Sequence, residues 1–118
     1  VACPYRLDVP SGVWSFDEYE KLRAYDEPTG DQPWMPFACH ATPNQMCNGW
    51  AVCHTSRGNE HDLLALRIIG YPAIPTSKVP LHASGNLAAD FGEEDIDDPS
   101  DEAMAMVDKL MERHERLR

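Results

Sequence analysis

The chain has no uninterrupted stretch of the ~18 apolar residues that a membrane-spanning helix needs, and its first residues lack a charged-then-apolar leader pattern. An intracellular, cytoplasmic protein with no membrane partner is therefore expected. Basic side chains are scarce, ten against twenty acidic ones, for a formal net charge of −10. A uniform surface of that sign repels phosphate backbones, so direct nucleic-acid binding is not expected and a basic protein partner is the natural complement. The chain also lacks a Gly-rich phosphate loop, a Gly-x-Ser-x-Gly elbow and a His-Glu-x-x-His helix. An enzyme is accordingly the less favoured reading, and its mark would be a deep polar pocket beside a reactive centre. There is no internal repeat, and nothing of low complexity beyond the acidic run Glu93, Glu94, Asp95, Asp97 and Asp98. That run lacks the alternating oxygen ligands of a calcium loop and reads as a solvated charge cluster.

What the chain does contain is four cysteines in 118 residues. Cys3 stands near the start, while Cys39, Cys47 and Cys53 fall close together, two of them followed directly by His40 and His54. Four thiolates close a tetrahedral zinc site or hold one iron–sulfur cluster. Structural zinc sites usually take paired ligands from Cys-x2-4-Cys turns, and no interval here has that form. Cys47 and Cys53 would lie ~120° apart on a continuous helix, so one of them is expected at or beyond a helix end. A cluster accepts ligands from more scattered places, which favours a [4Fe–4S] centre held by Cys3, Cys39, Cys47 and Cys53, with zinc as the alternative. Either histidine could replace a thiolate in a Cys3His zinc site or donate to one from behind. Phe37 and Trp50, with Trp14 and Trp34, are candidates to shield the centre, or simply to fill the core. In an oxidising compartment the same cysteines would instead form two disulfides, with three possible connectivities.

The local pattern describes a mainly α, loop-rich single domain over residues 1–118, small enough that a metal staple would help it fold. Residues 1–13 carry Pro4, Pro10 and Gly12 and should be irregular. Ser15 and Glu18 form a capping-box signature for a first helix over Phe16–Tyr25. Pro28, Gly30, Pro33 and Pro36 then prevent a regular element before Cys39. A short helix is expected over Cys47–His54 with Trp50 as its anchor. Ser56 or Asn59 would cap a core helix using Leu63, Leu64, Leu66, Ile68 and Ile69 and stopped by Gly70. Residues 71–80 form a connector in which Ile74 or Val79 adds an extended piece. Ser84 opens a helix ended by Gly92. Ser100 starts the last one, whose apolar stripe is Met104, Val107, Leu110, Met111, His114 and Leu117.

Taken together, Cys3-Pro4-Tyr5-Arg6, Asp8-Val9-Pro10-Ser11-Gly12-Val13-Trp14, Phe37-x-Cys39-His40, Cys47-Asn48-Gly49-Trp50, Leu64-Ala65-Leu66-Arg67 and Val79-Pro80-Leu81 resemble an uncharacterised family of small proteins from actinobacteria and their phages. The resemblance spans most of the chain and implies an intracellular, cysteine-centred protein. It also implies a further cysteine three residues before Cys3, at a position preceding Val1. A weaker resemblance is to the WhiB-like iron–sulfur regulators, whose final Cys-x5-Cys interval Cys47 and Cys53 reproduce. The chain lacks their Cys-x2-Cys pair, their Gly-Val-Trp-Gly-Gly turn and their basic tail. A regulatory or protein-binding role built on the centre is the leading expectation; a redox carrier or sensor is the alternative.

Overall fold

A computed structural model describes residues 3–39, 45–55, 62–70 and 78–116. Within them the chain is mainly helical, with five α-helices and no extended strand. Helix α1 (Phe16–Arg23) begins where the capping box placed it: Ser15 Oγ accepts the Glu18 amide at 3.4 Å. The helix stops two residues earlier than expected and tightens into a 3₁₀ turn over Ala24–Asp26, a common way to close a last turn. A second 3₁₀ turn covers Thr29–Asp31 in the proline-rich linker. Helix α2 (Asn48–Thr55) carries Trp50, Cys53 and His54, all buried.

Helix α3 (Leu64–Ile69) ends at Gly70, as expected. Ser56 and Asn59 lie outside the described residues, and the cap of α3 comes from elsewhere: Gln32 Oε1 accepts the Leu64 amide at 3.0 Å. The Gln32 amide group donates in turn to the carbonyls of Glu27 and Asp62. A buried glutamine thus fixes the helix start from a distant turn. Leu63, Ala65 and Leu66 are core, but Ile68 and Ile69 are exposed, because only one side of this short helix faces the protein.

Helix α4 (Gly85–Glu93) is capped by Ser84, whose hydroxyl accepts the Leu87 amide at 3.1 Å. Gly92 lies within its last turn instead of ending it. The reason is packing: a Cβ at this position would overlap the ring of Tyr19 on α1. Tyr19 is held in place by its hydroxyl, which accepts the amides of Val13 and Trp14, both at 3.1 Å. Arg23 spans the same interface, reaching Glu20, Asp90 and Glu93.

Helix α5 (Asp101–Arg116) starts at Ser100, which accepts the Ala103 amide at 3.1 Å. Its inward face is narrower than the expected stripe. Ala103 is buried, with Met106, Val107 and Leu110 packing beside Val9, Val13 and Trp14; Met104, Met111 and His114 are exposed. Leu117 lies outside the described residues, as does Ile74. The extended piece near Val79 is reduced to a single antiparallel bridge, Arg6 with Leu81, flanked by Leu7 N–H to Pro80 O and His82 N–H to Tyr5 O. This pairing holds the N-terminal loop, and Cys3 with it, against the body. No described helix is long and apolar enough to cross a membrane.

Candidate functional site

Three of the four cysteines line one cavity of about 250 Å³, together with Arg6, Asn48, Gly49, Val79 and Leu81. Local geometry explains how they meet. An antiparallel bridge joins Ala38 to Met46, closed by Cys39 N–H to Gln45 O and Cys47 N–H to Phe37 O, each at 2.7 Å. Cys39 and Cys47 are therefore diagonal neighbours on one side of this short ladder, a relation that spans about 7 Å in an antiparallel pair. Cys47 then becomes the residue before α2. Its carbonyl accepts the Ala51 amide at 3.2 Å and its sulfur accepts the Trp50 amide at 3.4 Å, the role an N-cap oxygen usually plays.

Cys3 reaches the same place from the N-terminal loop, and its sulfur lies 3.6 Å from that of Cys47. Gly49 makes this approach possible. A Cβ there would stand 2.8 Å from the Cys3 sulfur and 3.2 Å from the Tyr5 Cβ, so any side chain would push the loop away. The hydrogen bond from Cys47 lowers the Cys3 thiol pKa to about 7 despite burial, helped by backbone amides and by the Arg6 charge. Cys47 moves the opposite way, upward, because it gives its proton to that bond and is itself buried. Sharing one hydrogen bond makes Cys3 the more acidic thiol of the pair and Cys47 the one that keeps its proton.

Cys53 is elsewhere. It is fully buried on the core side of α2, and its thiol donates to the His82 carbonyl at 3.2 Å. His54 is also buried, its Nε2 3.7 Å from Asp26 and its ring edge-on to Tyr5. Burial holds the His54 pKa below its ordinary 6.5, with Asp26 opposing the shift. Asp26 itself accepts the amides of Gly85 and Asn86 at the start of α4. His40 lies outside the described residues. Among those described, no group of three or more His, Cys, Asp or Glu side chains is gathered so that it could hold a metal ion. All four cysteines are described and none forms a disulfide.

Of the aromatic candidates, Phe37 and Trp50 are buried beside the site, linked through edge-to-face contacts with Tyr5 and Tyr25. Trp34 is 67% exposed, and Trp14 is partly buried, packed against both the main core and the α5 cluster. Sequence reasoning missed Arg6, Tyr5 and Gly49 as parts of the site. The one available signal was adjacency, since Arg6 and Tyr5 follow Cys3 and Gly49 follows Cys47 within three residues. The Tyr5 hydroxyl is buried without a hydrogen-bond partner among the described residues, and burial beside the thiols pushes its pKa well up. It stays protonated, in the core behind the cavity.

Fold and site thus define a small helical protein with a thiol-lined cavity between its N-terminal loop and the start of α2. The chain belongs to a family of unknown function, DUF6283, which matches residues 1–113. No curated protein and no solved structure matches it.

Proposed function

We propose that the cavity of Cys3, Cys39 and Cys47 takes up a single thiolate-bound metal ion, zinc in the simplest case, and that the protein is a non-enzymatic binding or regulatory domain whose fold depends on that ion. The observation that carries this is the 3.6 Å separation of the Cys3 and Cys47 sulfurs. Two sulfurs bound at ~2.3 Å to one tetrahedral ion stand about 3.8 Å apart. In a [4Fe–4S] cubane each thiolate binds a different iron, so the sulfurs stand farther apart, and this spacing favours zinc over the cluster. Ion binding draws in Cys39, which is half-exposed on the ladder edge. Cys53 contributes no donor in this reading.

The acidic balance of the chain supports a basic partner, and Glu94, Asp95, Asp97 and Asp98 present their charge to solvent. A reducing, cytoplasmic setting belongs to the proposal because it keeps the thiols competent for metal. The test is zinc, iron and sulfide analysis with an absorption spectrum on protein purified without oxygen. One zinc per colourless chain is expected. Iron and sulfide with broad absorption near ~400 nm would replace the ion by a cluster, and stoichiometric absence of all three would end the metal reading. Cys47→Ser is expected to abolish metal retention while Cys53→Ser keeps it; equal loss in both would return Cys53 to the ligand set.

A further inference from the structure

The cavity that serves the metal reading also has a property independent of any ion. Cys3 and Cys47 bring their sulfurs to 3.6 Å from positions 44 residues apart in sequence. Cys3 is partly buried at the wall of the open cavity, through which a small oxidant can reach it. Cys47 is buried directly behind it, its sulfur oriented by the Trp50 amide. Gly49 leaves the gap between them open. Cys39 is diagonal across the ladder, and Cys53 is sealed in the core against the His82 carbonyl.

We propose that Cys3 and Cys47 are a reversible modification site, converted to an intramolecular disulfide by a hydroperoxide oxidant. The Cys3 sulfur attacks one peroxide oxygen; the S–O bond forms as the O–O bond breaks, and the departing hydroxide takes the Cys3 thiol proton and leaves as water. The Cys47 sulfur then attacks the sulfenic sulfur of Cys3. The S–S bond forms as the S–O bond breaks, and a second water leaves with the Cys47 proton. Two thiols have lost two electrons and two protons, and one hydrogen peroxide has become two waters. A dithiol or phosphine reductant reverses the bond. Closing the sulfurs to ~2.05 Å pins the N-terminal loop to the first turn of α2. The same cavity then cannot bind metal, because both thiolates are consumed. This inference rests on the sulfur geometry and shares its residues with the metal reading.

The test uses the wild-type chain as purified, with its metal content recorded first. Graded hydrogen peroxide is followed by thiol alkylation and fragmentation mass spectrometry, before and after reductant. The expected product is a monomer with a Cys3–Cys47 link, lighter by two hydrogens and restored by reductant, with Cys53 still a thiol. Cys53→Ser is expected to form the same link. Dominant linkage through Cys39, linkage between chains, or sulfinic acid on Cys3 with no link would overturn the proposal. The two readings fail separately. Protein that gives up its metal under peroxide and still gains no Cys3–Cys47 link sinks this one alone, while metal-free protein that cross-links sinks only the metal reading.

Discussion

The α1–α4 interface and the thiol cavity are both built around a glycine that admits a neighbour's side chain, yet the space is used in opposite ways. At Gly92 the vacated volume is filled by the Tyr19 ring, whose hydroxyl is satisfied by two backbone amides. At Gly49 the vacated volume lets two thiols meet beside an open cavity. In the first case the ring fills the space and its hydroxyl finds its partners inside the protein. In the second, reactive groups converge and room remains for something else. Close packing identifies scaffold; convergent chemistry beside unfilled volume identifies the site.

The strongest way to break this contrast is Gly92→Ala. The added methyl collides with a ring that is anchored at its far end, so a loss of about 3 kcal/mol in unfolding free energy is expected from urea titration. A loss below about 1 kcal/mol would show that Tyr19 yields and that this interface is not close-packed. Asp26→Ala removes the acceptor for two α4 amides and the charge beside His54, and should cost about 2 kcal/mol by the same titration. Gly49→Ala is the mirror experiment. Its effect on stability should be smaller, about 1 kcal/mol, because the neighbour it displaces lies on a loop. Peroxide-driven linkage of Cys3 to Cys47 should slow on the order of tenfold, since sub-ångström placement of reacting atoms is lost. Unchanged linkage kinetics would separate Gly49 from the thiol geometry.

The buried His54 sharpens the comparison through pH. Its folded pKa is depressed below 6.5, so the unfolded chain binds the proton first as pH falls. Stability is therefore greatest above 6.5 and declines as pH drops from there through the lower folded value, with a slope of at most ~1.4 kcal/mol per pH unit for one proton. Denaturation midpoints measured between pH 8 and 5 should show this slope in wild type and a flatter one in His54→Gln. Identical slopes would place the titration elsewhere. The smallest effect belongs to Arg23→Ala. Its ion pairs across α1 and α4 are partly exposed, so only a slight midpoint shift is expected, shrinking further in high salt.

Several parts of this molecule were legible because a few neighbouring residues decide them. Ser15, Ser84 and Ser100 each cap the helix that follows, because an N-cap needs only a hydroxyl and an amide two or three residues on. Gly70 closes α3 for an equally local reason. The misread points depend on distant partners. Gln32 caps α3 from across the linker, and Gly92 sits inside α4 because Tyr19 requires it. Among the cysteines, spacing alone treated all four alike, whereas burial sent Cys53 to the core and a two-residue ladder carried Cys39 toward Cys47.

By itself, then, the sequence determined a mainly helical, acidic chain, the starts of three helices, and cysteine as the chemistry of interest, since charge, composition and caps are local or additive properties. Only the tertiary structure decided which thiols share a cavity. That choice rests on the Arg6–Leu81 and Ala38–Met46 pairings and on the space above Gly49, contacts between segments far apart in the chain whose register no local pattern encodes.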